Sequence, residues 1–143
     1  MMDDEIDFHG AKVALFVEDQ LLVYRRDNET DIPFPNMWDL PGGGRENGES
    51  GADCVVRETY EEFGISLDVA ALHYVEHYEN WRGASSRRAL FFVGHVSRDQ
   101  VATIAFGDEG QHWQLMEVME FLDSDEAVPH LQERLSDYLA RGR

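Results

Sequence analysis

This chain is short of cysteine, lysine, proline and positive charge, and each shortage excludes something. Cys54 is the one cysteine among 143 residues, so no intrachain disulfide can form and a reducing compartment is expected. Lys12 is the one lysine, the other 11 of the 12 basic residues being arginine; no function follows from that skew. No apolar run reaches the ~18 residues of a membrane span. The N-terminal "MMDDEIDFHG" is acidic where a signal peptide would be basic and then apolar. A soluble, cytoplasmic protein with no membrane partner is therefore expected. The 12 basic residues face 29 acidic ones, a formal net charge of −17. That balance counts against a general binder of nucleic acid or anionic lipid, which needs a basic face. It does not exclude one anionic small molecule, provided a divalent metal supplies local positive charge.

What is present fits a folded domain. Apolar residues make up 43% and aromatics 11%, too many for a disordered acidic tail. No repeat, low-complexity tract or linker divides the chain, so residues 1–143 read as a single domain able to bury about two-thirds of its unfolded surface. "KVALFVEDQLLVYRRD" reads as strand, polar turn and strand, with Val13, Leu15 and Val17 alternating. The stretch from Asn28 to Ser50, punctuated by Pro33, Pro35, Pro41 and Gly42-Gly43-Gly44, reads as a loop with a short strand near Met37 to Leu40. A helix is predicted over 51–63, opened by Ser50 and Asp53 at capping-box spacing and closed by Gly64. Ala52, Val55, Val56, Thr59 and Phe63 would form its core face. "ALHYVEHYE" and "ALFFVGHVS" read as strands joined across "NWRGASSRR". "FGDEGQHW" reads as a loop, and "QLMEVMEFL" is ambiguous between strand and helix. "VPHLQERLSDYLARG" reads as a second amphipathic helix begun by Pro129. The fold class expected is α+β, a mixed β-sheet between helices in an α/β/α sandwich.

The stretch "RETYEEFG" concentrates the chemistry. Glu58, Glu61 and Glu62 project from one side of the predicted helix, at spacings where like charges repel. A run of this kind is ordinarily a solvated face; it becomes favourable if a hard cation such as Mg²⁺ sits among the oxygens. The surroundings decide between these. Gly43, Glu49, Arg57, Glu58, Glu61, Glu62 and Gly64 stand at fixed intervals in "GGRENGESGADCVVRETYEEFGI". A chance match falls in on the order of one in 10⁵ acid-rich sequences.

This pattern resembles the signature of the Nudix hydrolases, Gly-x5-Glu-x7-Arg-Glu-U-x-Glu-Glu-x-Gly-U, over residues 43–65. The one departure is Thr59 where the first aliphatic U stands; its methyl can pack and its hydroxyl is expected to bond back to the helix. The resemblance implies Mg²⁺-dependent (or Mn²⁺-dependent) water attack on a phosphoanhydride of a nucleoside diphosphate linked to another moiety. It implies Glu58, Glu61 and Glu62 as metal ligands, with the Gly43 carbonyl a further one. Arg57 would orient a glutamate, with Glu49 as its partner. Glu109, in a loop resembling the Glu-Gly-Gln loop of MutT-like members, is a candidate extra ligand or general base. Glu58, Glu61 and Glu109 all remain open as the group that takes the water's proton.

The substrate end is less defined. Arg25 and Arg26 close a strand running toward the metal helix and are expected to clamp phosphate. Trp38 is a candidate to stack on a base, as are Phe34 and Trp81. His9, His73, His77, His95, His112 and His130 show no metal-ligand spacing and are expected to be structural or surface residues. No proline occurs between Pro41 and Pro129, whereas ADP-ribose-specific relatives tend to carry one after the box; the NADH-type and coenzyme-A-type arrays are also missing. What remains resembles the compact MutT-like group, cleaving (d)NTPs to monophosphate and pyrophosphate. A dinucleoside polyphosphate, a nucleotide sugar or an RNA 5′ end is the enzymatic alternative, a non-catalytic nucleotide sensor the other. The expected partner is a small nucleotide; a nucleic-acid polymer is disfavoured, and a homodimer is allowed.

Overall fold

A computed structural model describes residues 7–79 and 88–141. Seven strands form one mixed sheet: β1 Phe8–Val17, β2 Gln20–Arg25, β3 Trp38–Asp39, β4 Gly42–Gly44, β5 Leu72–Glu79, β6 Arg88–His95 and β7 His112–Glu117. Helices α1 (Gly51–Phe63), α2 (Arg98–Val101), α3 (Val118–Asp123) and α4 (Pro129–Ala140) surround it. Strand order runs β3-β2-β1-β6-β5, with β4 also on β1 and β7 also on β2. Among the described strands β1 and β6 form a parallel ladder, and the other ladders are antiparallel. The expected α/β/α sandwich is therefore present.

Alternation along the strands builds two cores. Val13, Leu15 and Val17 of β1, with Leu22 and Tyr24 of β2, pack under α1 against Val55 and Phe63. Ala14, Phe16, Leu21 and Val23 point the other way, against Leu131, Leu135 and Tyr138 of α4. A one-residue slip of β1 would exchange the two sets. Cys54, absent from the expected core face, is wholly buried too.

Helix α1 has the expected bounds. The Ser50 hydroxyl accepts from the Asp53 N–H at 3.1 Å, and Gly64 ends the helix in the left-handed region at φ 73°. One expectation fails inside it. Thr59 is fully buried, but its Oγ1 has no hydrogen-bond partner, so the hydroxyl does not bond back to the helix. An unsatisfied buried hydroxyl costs on the order of 1 kcal/mol.

Three elements are richer than their sequence reads. Gly42–Gly44 is not loop but strand β4, laid against Gly10 to Lys12. Glycine permits this approach: a Cβ on Gly42 would meet the Ala11 carbonyl oxygen at 2.2 Å. β1 thus pairs with β4 at its start and with β2 at its end. The ambiguous "QLMEVMEFL" is both structures in turn, the end of β7 and then α3. The short α2, begun by a full capping box of Ser97 and Gln100, follows β6. Trp81 and most of the loop "NWRGASSRR" lie outside the described residues. No helix among the described residues is long and apolar enough to cross a membrane.

Candidate active site

A cleft of about 400 Å³ opens where β1 and β4 meet α1, and it continues to α4 on the other side of the sheet. Its lining includes Glu58 and Glu62 from α1, the glycines of β4, Glu109, Lys12, Arg26 and Arg134.

The acidic wall is fixed by Arg57. Its Nη2 donates to Glu49 Oε1 at 2.7 Å and to the Gly44 carbonyl at 2.8 Å, and its Nε donates to Glu49 Oε2 at 3.1 Å. Nη1 donates to Glu58 Oε2 at 3.2 Å and Glu61 Oε1 at 3.1 Å. One guanidinium therefore ties the turn before α1 to two helix carboxylates, the bidentate use to which arginine is suited. Hydrogen bonding to Arg57 draws the Glu49 carboxyl below its ordinary range. Burial pushes the Glu58 carboxyl up, against the pull of Arg57. A Cβ on Gly43 would stand 2.5 Å from Glu58 Oε2, so only glycine leaves this carboxylate its place.

Glu62 is more deeply set, 7% exposed, with Oε1 accepting from the Gly42 N–H at 3.1 Å. Burial raises its carboxyl to about 8, while Lys12 pulls the other way. Glu61 differs: its side chain is 55% exposed, held by Arg57, and it is not among the cleft-lining residues. Glu109 reaches the cleft on a loop tied down at both ends. Gly107 N–H donates to the Glu62 carbonyl at 2.9 Å, and Gln111 N–H to the Arg25 carbonyl at 2.8 Å. The Gly43 carbonyl faces the Cys54 thiol at 3.5 Å. Burial pushes that thiol up to about 12, so it stays protonated. Among the described residues, no three His, Cys, Asp or Glu groups converge closely enough to hold a metal ion as they stand.

Beside the carboxylates lies a network that sequence reading missed. Asp39 is 1% exposed and accepts from Lys12 Nζ at 3.0 Å, Arg26 Nη1 at 2.7 Å and Tyr24 Oη at 3.0 Å. Burial opposes its ionisation, yet Lys12 and Arg26 hold its carboxyl below the ordinary range. Lys12 also donates to the Leu40 carbonyl at 3.1 Å. The lone lysine showed no sign of this role, because its partner arrives only when the sheet forms. The "Trp-Asp-Leu-Pro" run held that partner, an acidic residue flanked by apolar ones.

Two substrate-side expectations are corrected. Arg25 does not line the cleft: Nη2 pairs with Glu126 at 2.8 Å, Nε donates to Asn36 at 3.1 Å, and its guanidinium lies 4.9 Å from the Trp38 ring centroid. Trp38 is occupied by that contact and by the edge of His112 at 5.5 Å, and it packs on the α4 side of the core. The physical reason is strand alternation, which sends Arg25 and Arg26 to opposite faces. The histidines fall into two groups. His73 stacks on His95 at 4.8 Å and His77 meets Arg88, both structural contacts, but His9 and His130 line the cleft. Burial, with Arg134 beside it, pushes His130 down to about 4, so it is neutral at physiological pH.

The mixed sheet between helices and the glutamate cluster held by an arginine define a class of small α+β protein built around a cleft with one acidic wall. Residues 8–138 match the NUDIX domain, and the chain belongs to the Nudix family. A putative 8-oxo-dGTP diphosphatase of Bacillus subtilis (strain 168) is 42% identical over 64 residues, 43% of this chain and 38% of that protein. The nucleoside diphosphate-linked moiety X motif 6 protein of Mus musculus is 36% identical over 58 residues, 41% of this chain and 18% of that protein. The matched stretches thus span well under half of either relative. In fold, the chain is similar to the MutT protein of Methanosarcina mazei Go1, with a TM-score of 0.71, 19% identity and coverage of 97% and 98% of the two chains. It is also similar to a Nudix hydrolase of Nitrosomonas europaea, with a TM-score of 0.72, 20% identity and coverage of 94% and 71%.

Proposed function

We propose that this protein hydrolyses a phosphoanhydride bond in nucleoside diphosphate-linked substrates, most readily (d)NTPs to (d)NMP and pyrophosphate. The observation that carries this reading is one cleft in which Glu58 and Glu62 stand beside the Lys12–Asp39–Arg26 network. The similarity to a putative 8-oxo-dGTP diphosphatase supports a triphosphate substrate. In this reading one Nudix domain does the work, as a cytoplasmic enzyme needing no membrane or nucleic-acid polymer.

The donor set fits a divalent cation. Two carboxylates whose ionisation is resisted by burial face a shared cleft across a glycine ribbon with no side chain to intervene. Hard oxygen donors of this kind take Mg²⁺ or Mn²⁺. Glu58 and Glu62 would hold it, with Glu109, Glu61 and the Gly43 carbonyl as further donors. Such an ion polarises phosphate oxygens and lowers the pKa of a bound water.

The chain's own residues supply the rest. Arg57, anchored by Glu49, keeps Glu58 and Glu61 oriented. Arg26 has its Nη1 on Asp39 and its Nε on the Pro33 carbonyl. Its guanidinium lines the cleft and can bond a phosphate oxygen. Glu58 and Glu109 line the cleft, which supports either as the acceptor of the attacking water's proton; Glu61 is engaged by Arg57 on the exposed side.

The test is a Mg²⁺-dependent turnover screen across NTPs, dNTPs, 8-oxo-dGTP, ADP-ribose, NADH, nucleotide sugars and dinucleoside polyphosphates. Pyrophosphate and orthophosphate release are read separately. Pyrophosphate from a triphosphate, abolished by EDTA, is expected. No release from any triphosphate, by a protein that binds Mg²⁺, would sink the reading.

A further inference from the structure

The end of the cleft remote from α1 holds a charge that the phosphate chemistry does not use. Arg134, on the first turns of α4, is 4% exposed and lines the cleft. A guanidinium offers five donors. Among the described residues Arg134 spends one of them, from Nη2 to the Glu79 carbonyl at 3.2 Å, and no carboxylate pairs with it. Its Cζ lies 4.8 Å from the Tyr78 ring centroid, which covers the guanidinium with an aromatic face and supplies no acceptor for its N–H groups. Buried arginines normally meet an acid or several carbonyls, because an uncompensated buried charge is costly. Burial accordingly presses on the Arg134 charge. Among the described residues, the remaining N–H groups form a planar fork with unmet hydrogen-bonding capacity in a substrate-sized cleft.

We propose that Arg134 reads the nucleobase, and that the base it selects is guanine. This rests on the cleft being a nucleotide site: with the phosphates at the carboxylates of α1, the group that extends toward α4 is the base. Guanine carries two adjacent acceptors, O6 and N7, which match the spacing of an arginine fork. Adenine carries the N6 amino donor beside N7, and a donor-only side chain facing a donor leaves both unsatisfied. Lysine, a point charge without the fork, cannot make the paired contact. Nothing in the local sequence "HLQERL" marks this role, because Arg134 sits at an ordinary core-facing position of an amphipathic helix.

The test is calorimetric titration of guanosine and adenosine monophosphates into the full chain with Mg²⁺, for the natural protein, Arg134→Met and Arg134→Lys. The guanine nucleotide should bind at least about tenfold tighter. Arg134→Met should erase that preference while leaving adenine binding within about twofold, and Arg134→Lys should not restore it. Equal binding of both nucleotides by the natural protein would overturn the inference. So would a parallel loss for both in Arg134→Met, which marks a packing or phosphate-binding role, or full rescue by lysine. If the variants fail to fold, 7-deaza-guanosine monophosphate with the natural protein decides: binding like adenine supports the contact at N7, and binding like guanine overturns it. Turnover is read separately. A guanine preference without pyrophosphate release from any triphosphate would remove the proposed reaction and keep the base contact; release without base preference would do the reverse.

Discussion

The two walls of the cleft are built by opposite rules. On α1 the acidic groups come from one helix and its approach, Glu49 to Glu62, and their chemistry follows from spacing along a single element. Across the cleft the groups come from five places: Lys12 on β1, Tyr24 on β2, Arg26 just beyond it, Asp39 on β3 and Arg134 on α4. The first wall concentrates like charge and is held by one arginine. The second distributes its charges, gathering Lys12 and Arg26 on Asp39, while Arg134 has no carboxylate partner among the described residues. A local cluster can be destabilised without loosening the fold, whereas a distributed network is part of the core and cannot be altered so cheaply.

Substitutions can break this comparison apart. Glu62→Gln and Glu58→Gln should each reduce turnover at least about a hundredfold with the fold retained; near-normal rates in both would remove the acidic wall from the chemistry. Gly43→Ala forces its methyl into Glu58 and should cost roughly tenfold in turnover at nearly unchanged melting temperature. A large melting shift would instead mark Gly43 as a packing glycine.

Asp39→Asn acts on the other wall and should show first in stability. It removes the partner of two cations that remain about a fifth exposed, so the loss should be nearer 2 kcal/mol than the larger cost of a fully buried pair. That corresponds to a fall of roughly 6 °C in melting temperature. An unchanged melting curve would show that Lys12 and Arg26 find other partners.

The pH response of Glu62 has a definite sign. Its folded-state carboxyl lies near 8, above its ordinary value, so its contribution to stability is present below about pH 4 and is lost as pH rises through 8. In EDTA the melting temperature should therefore fall by a few degrees between pH 5 and pH 8.5. Glu62→Gln should flatten that slope, and Mg²⁺ should counter it; an equal slope in Glu62→Gln would assign the effect elsewhere. Thr59→Val removes the unsatisfied hydroxyl and should raise stability by about 1 kcal/mol, read by denaturant midpoint. The smallest effect belongs to Arg25→Ala, whose pairing with exposed Glu126 is of the kind worth ~0–1 kcal/mol. KM should stay within about twofold; a marked rise would return Arg25 to the substrate.

Much of the fold is legible in the sequence alone. The apolar spacing, Ser50 and Gly64 placed α1 and its ends, alternation located β1 and an apolar run located β2, because those signals are local. The Arg57 to Glu49 link was implied by the family resemblance, while its further reach to Glu61 and the Gly44 carbonyl required the folded turn. The glycine run read as loop because a strand without side chains leaves no alternation to detect; only contact with β1 makes it a strand. Arg25 was misassigned because adjacency in sequence does not imply adjacency in space, and a strand sends neighbours to opposite faces.

By itself the sequence determined that a carboxylate-bearing helix would form, since helical periodicity converts spacing directly into a shared face; the ion and the bond expected there came from the family resemblance. Tertiary structure decided which charges meet that helix. Lys12, Asp39 and Arg26 come together through sheet pairing over up to 27 positions of sequence separation, and Arg134 enters the same cleft because α4 packs back across the sheet. Those meetings depend on register and helix packing, which no local pattern encodes.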